Sequence, residues 1–224
     1  MTSPAKDPEA LLGTLLSTIE TRIIPLTAEG VASGSKLFGA AILRKDDLSA
    51  VTVATNNEKA SPLLHGEINC IQQFFSLPET ATSSRPVSKD CLFLATHEPC
   101  SLCLSGITWS GFDNFYYLFT YEDSRDRFSI PYDIQILREV FRVPAVKGAQ
   151  ESSEQLERRP LYNHCNKFFM AKSFADLMDE IAGGEEKKCK WRGEIERVKK
   201  LYDGLSETYQ AVKSQGAQSA SVWK

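Results

Sequence analysis

Two uninterrupted apolar runs, residues 91–95 (Cys-Leu-Phe-Leu-Ala) and 115–119 (Phe-Tyr-Tyr-Leu-Phe), lie on either side of a short segment, 100–109, that reads as a helix. Runs without polar alternation belong to strands buried on both faces. Two such strands joined through one helix make a βαβ unit, which forces a parallel pair with a right-handed crossover. The remaining pattern fits around that unit. Leu11, Leu12, Leu15, Leu16, Ile19 and Ile23 recur at helical spacing over 8–24 and predict an amphipathic first helix that Pro25 stops. Residues 36–43 and 49–54 flank Arg44-Lys45-Asp46-Asp47 and predict a hairpin. Ile68, Ile71, Phe74 and Phe75 mark the inner face of a helix that begins after His65. Residues 78–90 and 120–132 read as polar connections, 133–141 as a helix and 145–160 as a linker. Phe174, Leu177, Met178 and Ile181 give a further helical stripe, closed by Gly183-Gly184. Finally Ile195, Val198, Tyr202, Leu205, Tyr209 and Val212 form a narrow seam, weakened by Gly204, that is expected to pack on the body of the protein or on a twin subunit.

The chain of 224 residues, 42% hydrophobic and 25% charged, suits one domain with extensions. The expected division is a body over 1–143, an irregular or linking stretch over 144–169 and a helical extension over 170–224. With 26 basic against 29 acidic side chains, a net charge of -3 and a pI near 5.7, the chain makes a poor footing for many phosphates. Long nucleic acid is therefore not expected as a partner. No apolar stretch reaches the roughly 18 residues of a membrane span. Asp7 and Glu9 stand where an export signal carries a basic end and an apolar core, which predicts a cytoplasmic protein, with the nucleus also open. Six cysteines in that setting point to thiols and metal rather than disulfides.

The spacing of the cysteines narrows this further. His65-Gly66-Glu67 opens one helix and Pro99-Cys100-Ser101-Leu102-Cys103 opens another. One imidazole and two thiolates are ligands that zinc prefers, and three protein ligands with an open fourth position mark a catalytic site. Two residues between the cysteines let both sulfurs of a first helical turn face one ion, where the helix dipole favours thiolate. Glu67 projects beside the metal without binding it, the place for a general base acting on water. A closed structural site would instead draw a fourth ligand from His97, Cys91 or Cys165. His97 otherwise reads as a strand-end residue near the site, His164 and Cys165 as surface or packing residues, and Cys70 and Cys91 as packing thiols. The basic residues of 187–200 interleave with glutamates and read as a solvated helix face.

On these H-x-E and P-C-x-x-C motifs the sequence resembles the zinc-dependent cytidine deaminase superfamily. Along Glu98-Pro99-Cys100-Ser101-Leu102-Cys103-Leu104-Ser105-Gly106-Ile107-Thr108-Trp109 it is nearest the guanine, tRNA adenosine and cytosine deaminase branch. The resemblance runs from Phe38-Gly39-Ala40 to Tyr132-Asp133. It implies a three-layer α/β/α sandwich around a five-stranded mixed sheet, with a helical C-terminal extension added. It also implies Zn2+ held by His65, Cys100 and Cys103, with Glu67 as the catalytic acid and base. Asn56 would hold the substrate ring, Trp109 would contact it, and Asp133, or failing that Asp123, would read its amidine edge. The main chain at Gly66, where the family usually has alanine, would hydrogen-bond the polar edge. Phe38 and Trp109 read either as pocket walls or as core aromatics, and Asp133 either as a substrate reader or as the N-cap of the helix that follows. The function implied is hydrolytic deamination of a guanine- or cytosine-like base or nucleoside. The alternatives are a tRNA adenosine deaminase subunit and a non-catalytic zinc-stabilised interaction protein. A homodimer is expected, formed near Trp109, Phe112, Phe115 and Tyr116.

Overall fold

Side chains along a strand point alternately to its two faces, and here that alternation sorts the apolar runs into two separate cores. The computed structural model describes residues 4–78, 85–143, 152–216 and 221. In chain order the elements are α1 (Pro8–Thr18), α2 (Ile24–Ala32), β1 (Gly39–Arg44), β2 (Ala50–Thr55), α3 (Gly66–Phe75), β3 (Cys91–His97), α4 (Ser101–Trp109), β4 (Asn114–Phe119), α5 (Tyr121–Phe128), α6 (Tyr132–Ile136), α7 (Ser153–Arg158), β5 (Met170–Ser173), α8 (Phe174–Asp179) and α9 (Glu185–Ser214). The strand order is β2-β1-β3-β4-β5. β1 runs antiparallel to β2 and β3, while β3, β4 and β5 are mutually parallel. Ala40, Ile42, Phe93, Phe115 and Tyr117 enter one core with Ile71 and Phe74 of α3 and Leu104 and Ile107 of α4. Their neighbours Ala41, Leu43, Leu92, Leu94, Tyr116 and Leu118 enter the other with α1, α8 and α9. The result is the expected α/β/α sandwich on a five-stranded mixed sheet, with the βαβ unit β3-α4-β4 at its centre.

Several local expectations need correction. Pro25 does not stop the first helix. The chain widens into a π turn at Ile19–Ile23, and α2 follows with Pro25 in its first turn. There a missing N–H is tolerated, and the shifted register spares the ring its clash with the preceding turn. The polar stretch after β4 holds α5, whose start is fixed by a capping box between Thr120 and Asp123. The fifth strand, β5, comes from the stretch read as a helical extension. Within the segment read as a linker, 152–158 carries α7, and 144–151 lies outside the described residues, as does 79–84 of the earlier polar connection. Phe112, Phe115 and Tyr116, expected near a subunit interface, are interior side chains of this chain.

The seam of α9 packs on the body. Ile195, Val198, Tyr202, Leu205 and Tyr209 are buried against α1, α2 and the back of the sheet. Its charged face is also partnered: Arg197 binds Glu20 of α1–α2 at 2.7 Å, Lys199 binds Asp123 at 2.8 Å, Asp203 accepts from Arg127 at 2.8 Å and Lys187 pairs with Glu9. Each exposed pair contributes below about 1 kcal/mol, but together they set the register of the helix on the body. Among the described residues no helix is long and apolar enough to cross a membrane.

Candidate active site

Two helices begin side by side at the C-terminal end of β3. His65 is the N-cap of α3 and Cys100 the N-cap of α4, both in extended conformation, and neither side chain caps its own helix. They turn toward each other instead. His65 Nδ1 stands 3.4 Å from Cys100 Sγ and 3.7 Å from Cys103 Sγ, one turn into α4. For a tetrahedral zinc with bonds of about 2.0 Å to nitrogen and 2.3 Å to sulfur, the ligand atoms should lie about 3.6 Å apart. Both nitrogen–sulfur distances are those of a tetrahedral zinc site, and the donor set fits that ion. His65, Cys100 and Cys103 are the one such metal-ligand group among the described residues. Cys91 and Cys165 stand elsewhere, and no fourth ligand joins the three among the described residues.

The charges of the metal-free site are strongly coupled. Hydrogen bonds from Cys103 and His65 hold the Cys100 thiol well below its usual range, whereas burial, then Cys100 beside it, pushes Cys103 well above. Burial pulls the His65 imidazole down, but its bond to Cys100 and that thiolate's charge outweigh this and hold it up at about 9. Glu67 is buried in the first turn of α3, in contact with Cys103, and burial followed by the charge of Cys100 pushes its carboxyl up to about 7. A divalent cation in the site opposes that shift.

Asn56, at the end of β2, accepts a 2.6 Å hydrogen bond from Gly66 N through Oδ1. Its amide is thereby oriented, and Nδ2 is left as a buried donor without a partner. The Gly66 N–H is engaged by this bond, which ties the start of α3 to the end of β2. Close packing on β1 favours glycine at this position. A Cβ at Gly66 would lie 2.8 Å from Gly39 Cα and 2.9 Å from Phe38 O, both backbone atoms of β1. Gly66→Ala is expected to destabilise the protein by about 1–3 kcal/mol through this overpacking. Thermal melting checks it, and an unchanged melting temperature would show that β1 yields freely.

A cavity of about 320 Å3 opens above the ligands, lined by Lys36, Phe38, Pro62, Leu63, His65, Cys100, Ser101, Leu102, Ile130, Tyr132, Asp133, Ile136 and Ser221. Phe38 is a wall of this cavity and also a packed aromatic, its ring centroid 4.4 Å from that of His97. Asp133 faces the cavity from the first turn of α6. It is not the N-cap, which is Pro131. Burial, then the Cys100 charge, pushes its carboxyl up to about 7. Asp123 is turned away, committed to the α5 cap and Lys199. His97 is no ligand: Nδ1 meets Thr96 Oγ1 at 2.9 Å, and burial keeps the ring well below its usual pKa, hence neutral. Cys70 and Cys91 are packing thiols, pushed up by burial to about 12 and about 11. Trp109 does not line this cavity. It is 91% exposed at the far end of α4, beside Phe168 and Phe169, outside the cavity. Six residues beyond Cys103, it is rotated about 240° around the helix and so cannot share that residue's face.

The sequence did not mark Lys36, whose ammonium is buried at the cavity edge between Glu58 Oε1 at 2.7 Å and Ser221 Oγ at 2.8 Å. A charge opening an otherwise apolar run was the one available signal. Nor did it mark Glu98, whose carboxylate gathers Tyr121, Tyr162 and His164 from beyond the motif.

Three ligand side chains with a carboxylate alongside, at the strand ends of an α/β/α sandwich, are the arrangement by which zinc sites activate water. Residues 21–119 match the family model of the cytidine and deoxycytidylate deaminase zinc-binding region. That stretch contains His65, Glu67, Cys100 and Cys103, so the matched zinc-binding region and the metal-ligand group of the structure are the same part of the chain. Among solved structures the chain is similar to the guanine deaminase of Bacillus subtilis, with 24% identity over 63% of this chain and 88% of that one and a TM-score of 0.44. It is similar also to the guanine deaminase of Nitrosomonas europaea, with 18% identity over 84% of each chain and a TM-score of 0.39. A wobble-position tRNA deaminase that carries out A-to-I editing shares 15% identity over 70% of this chain and 97% of its own, with a TM-score of 0.41. Likeness at that level does not extend to substrate. No curated protein matches the chain.

Proposed function

We propose that the chain removes the exocyclic amine of a small guanine- or cytosine-like base or nucleoside by hydrolysis, leaving a carbonyl and releasing ammonia. The observation that carries this reading is Glu67, buried against a three-ligand cluster whose open side faces a small cavity. Zinc, when bound, lowers the pKa of a water toward about 7 and so supplies hydroxide at neutral pH. Glu67 takes the proton that this water gives up and passes it to the ring nitrogen of the amidine as the adjacent carbon is attacked. Glu67 then takes the proton of the hydroxyl added to that carbon and gives it to the amine, the C–N bond breaks, ammonia leaves and the carbonyl remains. Asn56 Nδ2 supplies a fixed donor to a ring carbonyl or nitrogen. Asp133 supplies an acceptor to ring N–H groups.

A cavity near the lower end of small-molecule sites suits one ring system better than a polymer, and the net charge of -3 disfavours a tRNA. The exposed Trp109 and Phe168 give one apolar face that a second copy would cover, so a homodimer is part of the proposal; a monomer mass in light scattering would remove that part. The activity is tested by ammonia release from a panel of free bases, nucleosides and nucleotides. At least one amino-substituted ring should react, and Asp133→Asn should slow rings that present N–H donors more than others. Zinc-loaded protein that released ammonia from none would leave the interaction-protein reading standing.

A further inference from the structure

Glu98 is a buried carboxylate two residues before the metal ligand Cys100, and a carboxylate taken out of water must be fully hydrogen-bonded to be tolerated. Its partners all lie further along the chain than the motif. Oε2 accepts from Tyr121 N at 3.0 Å, while Oε1 accepts from Tyr162 Oη at 2.9 Å and from His164 Nε2 at 3.1 Å. The hydroxyl of Tyr121 donates in turn to Pro99 O at 2.5 Å, and Glu98 N donates to Phe119 O at 2.8 Å. The peptide that delivers Cys100 is thus gripped at its side chain, its carbonyl and its amide. Tyr162 and His164 stand beyond residue 119, where the family match ends. They are not on a loose strand of chain: Ala171 N of β5 donates to His164 O at 2.8 Å, and Cys165 bridges to Met170. β5 is itself paired to β4, so the clamp is anchored in the same sheet whose β3 ends at His97, the residue before Glu98.

We propose that Tyr162 and His164, acting through Glu98, are positioning residues for the Cys100 ligand, so that the segment beyond the deaminase motif is a working part of the metal centre. Neither touches the metal or a substrate. Their donors fix the rotamer of Glu98, Glu98 fixes the Pro99 turn, and the turn fixes Cys100 Sγ relative to His65 and Cys103. Loosening such outer contacts typically costs about 10–100-fold in metal affinity.

The inference rests on the reading of His65, Cys100 and Cys103 as zinc ligands, and its test separates the two. In the full-length chain, zinc affinity is measured by competition with a chromophoric chelator, alongside thermal melting of the metal-free protein. Tyr162→Phe keeps the ring and removes only the hydroxyl. Tyr162→Phe combined with His164→Ala removes both donors to Oε1. The double variant is expected to bind zinc about tenfold or more weaker than the parent, with Tyr162→Phe between the two. His164→Gln, which keeps a side-chain N–H within reach of Oε1, is expected to retain more affinity than His164→Ala. An affinity within about twofold of the parent in the double variant, against the 10–100-fold expected, overturns the proposal even if melting falls, because the contacts would then serve the fold alone. Failure of the parent chain itself to take up zinc would overturn the ligand assignment, a result distinguishable from the first.

Discussion

Glu67→Gln is expected to keep its zinc and its fold while ammonia release falls by about 10²–10⁴-fold. The amide fills the same volume but can neither take a proton from water nor hand one to a leaving amine. The side chain is buried and its carboxyl is pushed up to about 7 by burial and the Cys100 charge, which adds a stability signature to the kinetic one. A carboxyl whose pKa is raised on folding binds more protons in the folded state, so the metal-free parent loses stability as pH rises from the ordinary carboxylate range through neutrality. The glutamine variant lacks the Glu67 share of that loss, while the Asp133 share remains. Metal-free Glu67→Gln should therefore melt higher than the metal-free parent at about pH 8, and the difference should shrink at about pH 5. Near-parental turnover in this variant would sink the proposed mechanism, whatever the melting curves show.

Cys100→Ala and Cys103→Ala should each take the chain from about one zinc to almost none after dialysis, because two remaining ligands cannot hold the ion against water and no other ligand group lies nearby among the described residues. Ammonia release should disappear with the metal. Metal analysis of both variants is the check, and an unchanged content in both would move the site away from α4. The losses should be unequal in the metal-free chains. Cys103 is the more deeply held thiol, and its removal leaves a gap between Glu67 and His65, while Cys100 lies at the cavity wall.

The centre of the fold was legible because β3 and β4 are buried on both faces, so their composition alone declares them. The metal ligands were legible because their chemistry and helix-start spacing coincide. Elsewhere the information is not local. α5 carries only Tyr121, Ser124 and Phe128 inward from a charged octet, so its apolar periodicity is faint, although Thr120 and Asp123 had written a capping box into the sequence. β5 is four residues with a lysine and a serine, a strand made by its pairing with β4 rather than by its own pattern. Trp109 was placed by resemblance, and a resemblance in sequence carries no helical phase. Of the pocket residues, Asn56, Phe38 and Asp133 stand where a substrate could meet them or their neighbours. Lys36, Glu98, Tyr162 and His164 take their meaning from partners far along the chain, which no window of sequence displays.

The core behind the sheet joins Leu12, Leu15 and Ile19 near the start of the chain to Phe174, Val198 and Tyr202 near its end. Leu92, Leu94, Tyr116 and Leu118, which α9 helps to cover, are therefore synthesised long before their cover exists. A nascent chain emerging from the ribosome can pair β1 to β4 and assemble the α3 and α4 layer, yet it must hold a bare apolar surface in water until the last helix is released. Closing contacts over so great a separation is slow compared with forming local ones. The interval between translation of β4 and arrival of α9 is when this face of the sheet lies open to association with other chains.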